Sequence, residues 1–172
     1  MSRALVLMYH QVDLPLSAQE QRFCTPPDDF ATQMKWLVDA GYRGASLDDV
    51  LDHMTGRKVL PERTVHITFD DGFVGVLEHA LPTLSALGLP STLFALPRRT
   101  GGTNDWMHAR GFPRRALLSQ AQLRLLADEG FLLGVVVEVE VRRLQDREVE
   151  VAVLHLVLPE VLGRGRGRQK GA

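Results

Sequence analysis

The chain has 172 residues, 45% hydrophobic and 24% charged, which is enough for one sizeable core and gives no sign of a second domain with its own core. A formal net charge of -1 and a pI near 6.6 exclude an electrostatic case for nucleic acid or an anionic membrane; Arg164, Arg166, Arg168 and Lys170 read as a solvated basic tail. Cys24 is the only cysteine, so no disulfide forms within the chain, no oxidising compartment is required and an inert free thiol is expected.

Ala4 to Tyr9 is a near-continuous apolar run and predicts a strand buried on both faces, with His10 at its C-terminal end. The run is too short to span a membrane and lacks a small-residue cleavage site, so no membrane span and a cytoplasmic location are expected. Gln11 to Phe23 is polar, is interrupted by Pro15 and reads as a loop. Thr25-Pro26-Pro27-Asp28 then opens a helix in which Phe30, Met34, Leu37 and Val38 recur at helical spacing, and Gly41 stops it. A short strand over Tyr42 to Ala45 leads to Ser46-Leu47-Asp48-Asp49, a capping-box pattern for a helix through Val50, Leu51 and Met54.

Val65, Ile67 and Phe69 alternate with His66, Thr68 and Asp70, which predicts a strand with one face on the core. It runs into Asp70-Asp71-Gly72. Adjacent side chains on a strand point to opposite faces, so the two aspartates diverge unless a turn at Gly72, where positive φ is cheap, brings both to one pocket. That geometry suits a metal with a nearby base, although Asp-Gly is also a common turn dipeptide with no function.

Pro82 interrupts the segment from Val74 to Leu89 and fits the first turn of a shorter helix ending at Gly88. Ser91 to Ala95 is the next strand. Pro97 to Pro113, with Trp106 and His108, has no apolar period and reads as a long loop. Ser119-Gln120-Ala121-Gln122 is a second capping box, for a helix lined by Leu123, Leu125, Leu126 and Ala127, and a strand follows over 131–137. Strands alternating with helices predict an α/β fold with parallel strands, whose sites gather at the strand C-terminal ends, where His10, Asp70 and Asp71 stand.

Residues 1–134 resemble the N-terminal part of a polysaccharide deacetylase, the NodB-homology domain. The resemblance rests on Leu7-Met8-Tyr9-His10, Phe30 with Gln33-Met34 and Trp36-Leu37, Gly41-Tyr42, Ser46-Leu47-Asp48-Asp49, Ile67 to Phe73, and Ala80-Leu81-Pro82 with Leu84. It implies a partial distorted (β/α) barrel. It also implies a hydrolase that removes acetyl groups from an oligo- or polysaccharide with a divalent metal, usually zinc, with Asp70 as general base and Asp71 as metal ligand. His10, Gly72 and Trp106 are further pocket candidates.

The family takes two histidines from a Gly-Ser-His-x-x-x-His phrase one strand later. Here Gly134 matches the glycine, but Val136 and Glu140 stand where the histidines belong, and Glu140 reads as part of a solvated strand face. The family's later pieces have no match, and His155 is the only histidine left in the tail. From Val135 to Ala172 there are ten valines and six arginines but no Ser, Thr, Asn, Ile, Phe, Tyr, Trp or Met. This sets a boundary between residues 1–134 and an atypical tail, 135–172, read as a divergent segment or, preferably, as the product of a reading-frame change. A barrel without its last strands exposes an edge and apolar surface prone to association, and no motif specifies an oligomeric state.

The expectation is therefore a deacetylase by descent that binds zinc weakly and turns over slowly or not at all. The alternative is a non-catalytic remnant or carbohydrate-binding module in which Trp106 stacks on a sugar ring, against the plainer reading of Trp106 as a loop aromatic packed on the core. A glycosidase using Asp70 and Asp71 fits less well, because such carboxylate pairs flank the scissile bond and neighbours in sequence seldom do.

Overall fold

The computed structural model describes residues 4–135. In chain order its elements are β1 (Ala4–Tyr9), β2 (Gln11–Val12), β3 (Cys24–Thr25), α1 (Pro27–Asp39), β4 (Arg43–Gly44), α2 (Leu47–Met54) and β5 (Thr64–Asp71). A π-helical turn at Val76–Ala80 then runs into α3 (Leu81–Leu87), followed by β6 (Ser91–Ala95), a 3-10 turn at Pro97–Arg99, α4 (Asp105–His108), α5 (Gln120–Asp128) and β7 (Leu132–Val135).

Most helix signals act where the sequence places them, although α1 starts after Pro26 without a side-chain cap and only the Ser46 half of the capping box on α2 forms. Pro27 occupies the first position of α1. Ser46 accepts the Asp49 N–H at the start of α2, and Ser119 and Gln122 form a reciprocal capping box on α5. Gly88 ends α3 in the left-handed conformation. Leu125, expected on the buried face of α5, is exposed, while Leu123 and Leu126 carry the packing.

The sheet order is β1-β5-β6-β7, every pairing is parallel, and β4 pairs with the start of β5. An α/β fold with a parallel sheet is thus what the alternation of signals predicted. Phe30, Met34 and Leu37 of α1, Leu84 of α3 and Leu126 of α5 form one core with Val65, Ile67 and Phe69 of β5.

Two burial expectations change places. β5 was expected to bury one face, yet Thr64 through Phe69 are all buried, so both faces of the strand are covered along this stretch. Its polar side chains find backbone acceptors instead of water: Nδ1 of His66 lies 2.8 Å from the Ala45 carbonyl, and Thr68 Oγ1 donates to Leu7 O at 3.1 Å. Conversely, β1 was expected to be buried on both faces, but among the described residues it pairs only with β5. Val6 (51% exposed) and Met8 (63%) lie on the face shared with His66 and Thr68, away from the helices. An apolar run alone does not reveal whether a strand is central or at an edge.

Both expected loops contain structure. The 11–23 segment is closed by β2 and β3, which pair Gln11 with Cys24 and Val12 with Thr25. The 97–113 segment contains a 3-10 turn and α4. The expectations for Val136, Glu140, His155 and the packing of the tail lie outside the described residues.

Gly75 is closely packed on the backbone of β2, since a Cβ there would lie 2.4 Å from Val12 O. Gly75→Ala is expected to destabilise the fold by about 1–3 kcal/mol, the usual cost of overpacking, despite the better helix propensity of alanine. Urea denaturation checks this, and an unchanged midpoint would contradict it.

Candidate active site

β5 extends two residues past Phe69, so both aspartates belong to the strand rather than to the turn after it. The expected turn also begins one residue early: Asp71 has φ 71° and Gly72 has φ 80°. Left-handed backbone is costly for a residue with a Cβ, though Asp tolerates it better than most. It breaks the strict alternation at the strand end. The turn is then pinned, because Leu118 N–H donates to Gly72 O at 2.8 Å and Val74 N–H to Ala116 O at 3.2 Å.

Asp70 and Asp71 are both half-buried. Burial raises the pKa of each carboxyl above its ordinary value, and the charge of nearby His10 acts in the opposite direction on both. For Asp71 the charge of Asp70 adds to the rise. The structure therefore brings His10, Asp70 and Asp71 within electrostatic reach at the C-terminal end of the sheet. The His10 ring packs edge-on against Phe23, with centroids 5.6 Å apart. Trp106 lies elsewhere in the contact network: it sits on α4 under the Arg99 guanidinium, 4.8 Å from the ring centroid. Among the described residues no hydrogen bond or ring contact joins it to the aspartates.

Sequence reasoning missed a second polar group beside the first. Glu20 is fully buried and takes both ends of a fork from Arg115, with Nε to Oε1 at 3.0 Å and Nη2 to Oε2 at 2.8 Å, while Arg115 Nη1 donates to Asp13 at 2.6 Å. The guanidinium holds the Glu20 carboxyl below its ordinary pKa. A lone Glu in a polar loop and an Arg about a hundred residues later carry no periodic signal linking them. Asn104, which accepts the Arg115 N–H at 2.7 Å, is buried with them and was likewise invisible.

Among the described residues no three His, Cys, Asp or Glu side chains group into a set that could hold a metal ion. The described residues therefore do not by themselves supply the three protein ligands that a catalytic zinc needs. Nor is any helix among them long and apolar enough to cross a membrane.

A model of the polysaccharide deacetylases matches residues 57–153, more than half of the chain and including both aspartates. The chain belongs to the polysaccharide deacetylase family. It is 32% identical over 96 residues to YxkH of Bacillus subtilis, a protein assigned to the same family, a match covering 56% of this chain and 33% of that one. It is 27% identical over 138 residues to the poly-β-1,6-N-acetyl-D-glucosamine N-deacetylase of Staphylococcus epidermidis, covering 74% of this chain and 45% of that one. Among solved structures, IcaB from Ammonifex degensii superposes with a TM-score of 0.67 at 27% identity, over 78% of this chain and 53% of that one. The chain thus spans between a third and about half of the length of these relatives. The family is generally metal-dependent.

Stability provides a test of how the aspartates are held. A carboxyl whose pKa is raised by folding stabilises the fold below its unfolded value, near 3.9, and loses that contribution as pH rises through the folded value. At pH 7 the ionised side chain is therefore a cost. Asp70→Asn is expected to raise the melting midpoint at pH 7 by about 1–2 °C, a fraction of the roughly 2–4 °C that 1 kcal/mol gives in a domain of this size because solvent screens a half-buried carboxylate, and to lose the advantage near pH 3. Asp71→Gly should be more stable than Asp71→Ala by about 1–2 kcal/mol, because only glycine adopts the left-handed backbone freely. Calorimetry across pH and denaturant titrations read both.

Proposed function

We propose that this chain is a polysaccharide deacetylase-type domain directed at an acetylated glycan of the N-acetylglucosamine class, with Asp70 as general base and Asp71 as the residue offering oxygen to a divalent cation. The observation that carries the reading is the paired carboxylates at the end of the central strand, with left-handed Asp71 and adjacent His10, within the matched family segment. In this reading the Asp70 carboxylate takes the proton of the water that attacks the acetyl carbon. The carbon–nitrogen bond breaks, acetate leaves, and the proton passes to the freed amine. A raised carboxyl pKa suits such a base, which acts only when deprotonated, so activity should rise with pH through the Asp70 pKa.

The chain is further proposed to bind zinc weakly and to turn over slowly, since Val136 and Glu140 occupy the positions where the family has imidazoles. Zinc titration with acetate release from acetylated chito-oligosaccharide tests both parts, using wild type and Asp70→Asn. Wild type is expected to show zinc affinity weaker than micromolar, and Asp70→Asn to lower any residual acetate release by about 10²- to 10⁴-fold. Stoichiometric zinc at micromolar concentration would overturn the weak-binding part. Acetate release unaffected by Asp70→Asn would overturn the role of Asp70, and oligosaccharide binding without any release would favour a carbohydrate-binding module.

A further inference from the structure

Two segments distant in sequence meet at the end of β5. One begins at His10 and runs through β2 and a loop to β3. The other leaves β6, passes through α4 and returns as Ala116 to Leu118, which pairs with Gly72 to Val74 through the Leu118 and Val74 amides and an antiparallel bridge between Phe73 and Leu117. Arg115 stands one residue before that pairing.

From there its guanidinium reaches the first segment with four hydrogen bonds: two to Glu20, one to Asp13 Oδ2 at 2.6 Å and one to Leu14 O at 2.7 Å. Its backbone is fixed as well, by the Asn104 side chain, which in turn donates to Pro113 O at 3.0 Å. Glu20 ties the rest of the first segment to this point. Its Oε2 accepts the Leu16 N–H at 2.7 Å, and its backbone carbonyl accepts the N–H groups of Phe23 at 2.8 Å and Cys24 at 2.9 Å. Gln11 N–H donates to Phe23 O at 3.1 Å, and Phe23 is the ring on which His10 packs. A continuous bonded path thus runs from His10 through Glu20 and Arg115 to the turn after Asp71.

Exposure distinguishes this path from a surface ion pair. Glu20 is 0% exposed and the Arg115 side chain 11%, so the fork is desolvated and geometrically constrained. We propose that Arg115 is a positioning residue of the candidate site: by clamping Glu20 and Asp13 it fixes the segment carrying His10 against the strand end carrying Asp70 and Asp71. The assignment rests on reading those aspartates as the site, but its test does not depend on turnover.

Cys24 supplies the probe, because it is the single cysteine, is buried, and lies in β3 opposite Gln11. In the full chain, Arg115→Met is expected to speed Cys24 labelling by a thiol reagent about tenfold or more, as local opening becomes easier, with Arg115→Lys restoring most of the protection. Val50→Ala, which cuts into the separate cluster formed with Ala45 and Leu60, serves as a control and should label at the wild-type rate. In nuclear magnetic resonance spectra the His10 ring signals should shift in Arg115→Met and return in Arg115→Lys, while those of His79 stay fixed. Wild-type labelling and unmoved His10 signals in Arg115→Met would overturn the proposal. So would faster labelling in Val50→Ala equal to that in Arg115→Met, which would reduce the effect to lost global stability. Acetate release by wild type and Asp70→Asn tests the functional reading separately.

Discussion

The fold depends on β5 being hydrogen-bonded along both edges. Thr64 to Phe69 are buried whichever face of the strand they lie on, so each must be either apolar or partnered. Val65, Ile67 and Phe69 meet the helices, and on the other face His66 and Thr68 meet backbone carbonyls of β1 and of the residue after β4. The strand cannot shift by one residue without exchanging those two sets, which fixes its register and the place where it stops. It stops at Asp70 and Asp71, half-buried at the sheet's C-terminal end, and the position of the carboxylates is therefore a consequence of core packing two residues upstream.

Much of this was legible from local chemistry. Capping residues, proline at the first helical turn and glycines after helices are signals whose cause lies within a few residues, and Ser46, Ser119, Pro27 and Gly88 all act as such signals in the structure. The Asp-Asp-Gly phrase was legible for the same reason. Burial was less so, because whether a strand is central or peripheral is decided by residues far away in sequence. The alternation in β5 looked like a half-exposed strand since its polar members are Thr and His, whose partners come from β1 and from Ala45. The clamp of Glu20 and Arg115 had no local cause at all and could not be read.

Gly134 shows how one residue can satisfy two explanations. In the sequence it stands where the family phrase has its glycine. In the structure it sits beside Phe94 across the β6–β7 pair, and a Cβ there would lie 2.5 Å from the Phe94 ring. Packing alone accounts for a glycine at this position. Its match to the family phrase is therefore evidence about the sheet and not about the histidines that follow it in other deacetylases.

Buried carboxylates occur at two neighbouring places, and folding shifts them in opposite directions. Glu20 has an arginine fork and a backbone N–H, so its charged form is favoured and its contribution to stability is present above the ordinary glutamate pKa, disappearing as pH falls through the lowered folded value. Asp70 and Asp71 have desolvation as their largest influence, with only the charge of His10 to offset it, so their neutral forms are favoured. A charge that is fully solvated by protein groups serves structure, because it has nothing further to gain from a ligand. Carboxylates left underpartnered in a half-buried position stand to gain from a cation or a transferable proton, and such ligand-seeking groups are where function is expected. The two sites are also mechanically linked: the fully paired Glu20 holds Arg115, and Arg115 precedes the strand pairing that closes the turn after Asp71. In this arrangement the Glu20–Arg115 ion pair holds the backbone around the two underpartnered carboxylates, so that strain at Asp71 and poor solvation at Asp70 persist in a fold that would otherwise relax them.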